Sequence, residues 1–143
     1  MPKTNFENLK MYQLAEALAD EIREIVSKWD HLAKNTVGQQ IVESADGVGS
    51  CIAEGSGRGT AQDNRRFINI ARGSLYETKH WLRCAFKRKL LTTTDVEKLK
   101  SLMDNLTPAL NGYYRSVSEA AARQRLRKHS HLSSKLKETK LSA

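Results

Sequence analysis

Apolar residues recur at alternating steps of four and three along four separate stretches of this chain, a spacing that one side of an α-helix can satisfy and a strand cannot. The clearest is Met11, Ala15, Leu18, Ile22, Ile25 and Trp29, a seam meant for a partner helix. Prolines stand only at positions 2 and 108, so long uninterrupted helices are permitted. The pattern predicts an all-α chain.

The first helix is predicted over about 6–29, with Asn5 as its cap. The second, over about 36–54, carries two stripes. Val37, Ile41, Val48 and Ile52 are apolar, whereas Ser44, Gly47, Cys51 and Gly55 are small. An interior glycine weakens a helix by about 1 kcal/mol, so the small stripe implies close approach of another helix. That helix belongs either to the same bundle or to another subunit.

Gly55-Ser56-Gly57-Arg58-Gly59 then breaks the helix, and Thr60 with Asp63 is suited to cap the next. That third helix is predicted to Lys89. Its seam is Phe67, Ala71, Ser74, Thr78, Trp81 and Ala85, flanked by Ile68, Leu75 and Leu82, with Ile70 and Phe86 nearby. The fourth opens on Thr94-Asp95-Val96-Glu97, which has capping-box form. Its seam is Val96, Leu99, Met103, Leu106, Leu110, Tyr113, Val117 and Ala120, with a kink expected at Pro108.

The expected architecture is an antiparallel up-down four-helix bundle over residues 1–122, followed by a basic, disordered tail over 123–143, in which Arg123 to Lys128 could extend the last helix by propensity. No apolar run approaches the ~18 residues of a membrane span. The opening Met1-Pro2-Lys3-Thr4-Asn5 lacks the form of a signal peptide, and a cytoplasmic location is expected. Cys51 and Cys84 lack metal-ligand or redox spacing and read as small hydrophobes.

The net charge of +8 is unevenly placed. Residues 60–90 carry +6 and residues 123–143 another +6, while the rest is mildly acidic. Segregated charge points to a polyanionic partner more directly than a high overall isoelectric point does; a solvated face is the plainer reading. The candidate nucleic-acid-binding residues are Arg58, Arg65, Arg66, Arg72, Lys79, Arg83, Lys87, Arg88, Lys89, Arg123, Arg125, Arg127 and Lys128. Phosphate contacts of this kind give affinity without sequence readout. Tyr76, Tyr113 and Tyr114 are the few candidates for stacking on bases.

Arrangements suited to catalysis are weak. Glu77 and His80 have the Glu-x-x-His spacing of di-iron bundles, but no second such motif exists; a surface polar pair is the simpler role. His129 and His131 fall in the tail. His80 and Cys84 share a helix face but lack an orienting third group. The glycine-rich break could face a phosphate, but it lacks the Lys-Ser/Thr end of a P-loop, and Arg58 could instead pair with Glu54. No catalytic residue, metal or cofactor is predicted.

Ile52-Ala53-Glu54-Gly55-Ser56-Gly57-Arg58, then Phe67 with Ala71-Arg72-Gly73-Ser74 and Glu77, and the opening Phe6-Glu7-Asn8-Leu9 together carry a family likeness. Over roughly residues 5–120 the chain resembles the bacterial four-helix-bundle proteins encoded in 23S rRNA intervening sequences. It departs at Cys51, where that family has asparagine, at Trp29 to Lys34, and in the basic tail. The small stripe Ser44, Gly47, Cys51 and Gly55 is the candidate subunit interface on its spacing alone. The resemblance implies a homo-oligomer, a ring of five. It also implies kinship with accessory proteins of diversity-generating retroelements, which bind a reverse transcriptase and nucleic acid. The function expected is a non-enzymatic module binding RNA or DNA. The alternative is a protein–protein adaptor that binds no nucleic acid, and salt dependence separates the two.

Overall fold

The computed structural model describes residues 5–142; the opening Met1 to Thr4 and the final Ala143 lie outside the described residues. Four long helices dominate: α1 (Lys10–Ser27), α2 (Gln39–Gly57), α3 (Ala61–Lys87) and α4 (Thr93–Leu141). The described residues contain no strand, and none of their helices is long and apolar enough to cross a membrane. α1 packs on α2 and α4, and α3 packs on the same two, so the helices close a ring of neighbours. Along α3 and α4, Ala61 N–H donates to Gln124 Oε1 at 3.2 Å, Arg65 Nε to Ser118 Oγ at 3.0 Å and Lys79 Nζ to Thr107 Oγ1 at 3.1 Å. Residue numbers thus fall on one helix as they rise on the other.

The seams read from the sequence make the core. Leu18, Ile22, Ile41, Ile52, Ile68, Leu75, Leu99, Leu106 and Leu110 are fully buried. On α3 the seam residues Phe67, Ala71, Thr78 and Ala85 and the flanking Ile68, Leu75 and Leu82 are all buried, while Ser74 and Trp81 of the expected seam stay half-buried. Phe86 and Ile70, expected near the seam, are instead exposed.

Several boundaries differ from expectation, each for a local reason. Asn5 does not cap α1; it begins a short 3-10 turn (Asn5–Asn8), and α1 starts after Leu9. Helical structure on the way to α2 begins early, at His31, because Asp30 accepts from Ala33 N–H. It then runs through a π-helical turn (Lys34–Gly38) into α2. Thr60 caps α3 as expected, accepting from Asp63 N–H at 3.2 Å. The capping box of α4 lies two residues earlier than the one read from the sequence: Thr92 accepts from Asp95 N–H, and Asp95 accepts from Thr92 N–H. Both registers satisfy the same motif, so the motif alone could not choose.

The largest difference is the C-terminal segment. α4 passes Pro108 and continues without a break to Leu141, so residues 123–141 are helical rather than disordered. All of them are exposed. This stretch has no glycine or proline and is rich in Arg, Lys and Leu, residues with high helix propensity. It extends a helix already nucleated in the bundle, so it needs no new costly nucleus. Beyond Gln124, which meets the start of α3, the arm is about 25 Å long at the α-helical rise.

α2 and α3 make the most extensive contact. A Cβ on Gly55 would stand 2.7 Å from Asn64 Oδ1 and 2.9 Å from Phe67 Cβ, and one on Gly47 would stand 3.3 Å from Ser74 Oγ. Buried Thr78 donates to buried Ser44 Oγ at 3.0 Å. By contrast, a Cβ on Gly73 meets nothing within 4 Å. Gly55→Ala should therefore destabilise the fold by about 1–3 kcal/mol through overpacking, despite the gain in helix propensity. Gly73→Ala should stabilise it by about 1 kcal/mol. Urea unfolding of both variants measures the contrast, and equal shifts would contradict the close contact.

Candidate nucleic-acid interface

The α2–α3 contact takes in most of the small stripe. Ser44, Gly47 and Gly55 face α3 of the same chain, and Cys51 is half-buried against the same core. Ser44 and Gly55 are buried, while Gly47 and Cys51 remain partly exposed. Burial raises the Cys51 thiol pKa above its usual value, an effect partly offset by a hydrogen bond with Ser50 and reinforced by Glu54. A thiol held protonated in this way is a weak nucleophile.

The candidate cations fall into separate groups because α3 is long. Arg58 and Arg66 lie around Phe67, their guanidinium carbons 4.9 and 4.7 Å from the ring centroid. Arg58 therefore stacks on Phe67 rather than pairing with Glu54. Arg66 also meets Asp63 at 3.9 Å. Along the flank facing α4, Arg65 and Arg72 lie 5.5 and 5.0 Å over the Tyr114 ring. The Arg72 Nε is buried with no hydrogen-bond partner, so the ring face is what offsets its desolvation. Tyr114 thus serves as a support for arginines, and Tyr113 accepts from Asn64 Nδ2 at 3.3 Å. Of the three tyrosines considered for stacking, Tyr76 alone stands well exposed, at 59%.

Farther along α3, Lys79 Nζ sits 4.9 Å over the Tyr76 ring, and Arg83 forms no hydrogen bond or ion pair with another described residue. Phe86 is 60% exposed. Lys87, Arg88 and Lys89 gather at the helix end, where cations suit the negative end of the dipole. At the opposite end of α3, the arm residues Arg125, Arg127 and Lys128 line a cleft with Thr60, Gln62 and Gln124. Arg123 lies on the same exposed arm. α3 alone separates the two poles by about 40 Å, so the cations form two poles joined by a flank rather than one patch.

The groups weighed for chemistry have ordinary partners. Glu77 Oε1 accepts from Trp81 Nε1 at 3.3 Å, and His80 packs edge-on against Trp81 with its Nε2 3.8 Å from Cys84 Sγ. Among the described residues, no three His, Cys, Asp or Glu side chains gather as a metal-holding group.

Residues 7–112 match the family model described as 23S rRNA-intervening sequence protein. The chain belongs to that family. No curated protein matches it. The match takes in the α2–α3 contact and the whole flank of α3. It stops before Tyr113, so Tyr114 and the basic arm lie outside the part of this intervening-sequence protein that defines the family.

Sequence reasoning found the cations but missed Phe86 as a surface residue. Its spacing, three residues after Arg83 and ten after Tyr76, places it on the exposed face of α3. It also gave no warning that Lys89 adopts a left-handed backbone, with φ of 61°. Leu90 N–H donates to Ala85 O and Lys89 N–H to Phe86 O, the Schellman closure in which glycine is usual. Lys89→Gly should raise stability by about 1 kcal/mol by relieving that backbone. Chemical denaturation checks it; a loss of stability would mean that the lysine side chain contributes more than the strain.

Proposed function

We propose that this protein is a non-enzymatic, oligomeric nucleic-acid-binding module: an antiparallel up-down four-helix bundle that carries a basic C-terminal arm. Its role is to hold RNA or DNA, as an accessory scaffold to a reverse transcriptase or another RNA-acting protein in the cytoplasm. The observation that carries this reading is the placement of the excess charge. Most cations of both +6 segments are exposed: Arg65, Arg66, Arg83 and Lys87 to Lys89 on α3 and its end, and the whole of the arm. Family membership supports an RNA context, since the family is described by a 23S rRNA intervening sequence. The ring of five subunits rests on the resemblance alone.

A helix with cations around its circumference attracts a polyanion without fixing its sequence. Arg123, Arg125, Arg127, Lys128, Lys135, Lys137 and Lys140 are balanced only by Glu138 on the arm. The second reading, a protein adaptor, draws on exposed Leu126, Leu132, Leu136 and Leu141 of the same arm, which would suit an apolar partner.

Size exclusion with light scattering, run with structured RNA at low and high salt, separates the two. The nucleic-acid reading expects a defined oligomer that co-elutes with RNA at low salt and releases it at high salt. Replacing Arg123, Arg125, Arg127 and Lys128 together by glutamine should flatten the salt dependence of binding by several units of log–log slope, roughly one for each phosphate no longer neutralised. A protein that ignores RNA at both salts leaves the adaptor reading.

A further inference from the structure

On α3 the residues Arg72, Tyr76, Lys79, Arg83 and Phe86 follow one another at steps of four, three, four and three. Such steps place them on one face of the helix. The face alternates cations with aromatic rings, and its two rings are the ones left open to solvent, Tyr76 at 59% and Phe86 at 60%. The other candidate tyrosines are engaged within the chain, Tyr114 under two guanidinium groups and Tyr113 by Asn64. Between the open rings stand Lys79, which lies over one face of Tyr76 and donates to Thr107 Oγ1 at 3.1 Å, leaving its remaining N–H groups for a phosphate, and Arg83, which has no polar partner among the described residues.

Resting on the nucleic-acid reading above, we infer that this face is a track for single-stranded nucleic acid, with unpaired bases stacked on Tyr76 and Phe86 and the backbone held by Lys79 and Arg83. A duplex buries the faces of its bases inside its own stack and offers an exposed ring nothing to stack on. An unpaired strand offers every base face, and aromatic platforms set among cations suit it without selecting sequence. Ten residues separate the two rings, about 15 Å along the helix, a span that a few nucleotides bridge. The arm and the paired arginines near Tyr114 supply general phosphate attraction to either form. The Tyr76–Phe86 face adds a contribution that only unpaired bases can use.

The full-length protein is titrated with a short mixed-sequence RNA and with the duplex it forms with its complement, each fluorescently labelled, across several salt concentrations. Tyr76→Ala combined with Phe86→Ala should weaken single-strand binding about ten-fold or more. It should change duplex binding less than about two-fold and leave the salt slope as it was, since every phosphate-binding cation is kept. Tyr76→Phe should bind as the parent does. Arg83→Gln should lower the salt slope by about one while leaving thermal unfolding unchanged.

Equal weakening of strand and duplex, or no weakening of either, overturns the track while leaving nucleic-acid binding in place. A double-alanine variant with an altered oligomeric mass shows that the rings cover a second copy of the chain, and also overturns it. A parent protein that binds neither RNA fails the broader function and this inference with it.

Discussion

The approach of α2 to α3 is the constraint on which the rest of the molecule depends. Gly47 and Gly55 omit side chains where Ser74, Asn64 and Phe67 would collide with them. The Ser44–Thr78 hydrogen bond satisfies the polar groups that become buried there. Two glycines weaken α2 as an isolated helix, but they let the backbones come close, and the dispersion gained across a close-packed contact is large in sum. Because one side of α3 is fixed in this way, its cationic flank turns toward α4 and solvent.

The division of labour along α3 follows from that orientation. Near its start, cations are supported by rings: Arg58 and Arg66 by Phe67, Arg65 and Arg72 by Tyr114. Farther along, Lys79 lies over Tyr76 and donates to Thr107, while Arg83 and Phe86 are left open. Guanidinium groups already lying on rings keep their charge but lose freedom, which preorganises them for a phosphate. The arm carries its charge differently, on a helix whose surroundings hold it only at Gln124 and the turns below. A rigid flank and a free arm give the protein two unlike ways to meet the same polyanion.

Much of this was legible in the sequence. The α1 seam from Met11 to Ile25 reappears as a buried row, and in α4 Leu99, Leu106, Leu110 and Val117 of the seam are buried while Val96, Met103, Tyr113 and Ala120 are half-buried, because three- and four-residue spacing fixes which side of a helix is apolar. The charge segregation was legible for the same reason that it matters: it needs no tertiary information. The small stripe of Ser44, Gly47, Cys51 and Gly55 announced a close neighbour, but spacing cannot say whether that neighbour is another helix of the chain or another subunit. Phe86 resembles a core residue because it adjoins Ala85 of the seam, although its spacing from Tyr76 and Arg83 puts it on the exposed face. The arm escapes a reading by composition because polarity alone suggests disorder. Propagation from a packed helix requires only good helix formers, which this segment has.

Hydroxyl-radical footprinting of the full-length protein, with and without single-stranded RNA at low salt, tests the central claim most directly because it reports on individual aromatic side chains. The account predicts protection of Tyr76 and Phe86 together with residues of the arm, no change at Tyr12, which lies among Glu16, Asp20 and Asp46, and loss of the protection at high salt. Unchanged reactivity at Tyr76 and Phe86, with protection appearing around Tyr12 and α1, would contradict it.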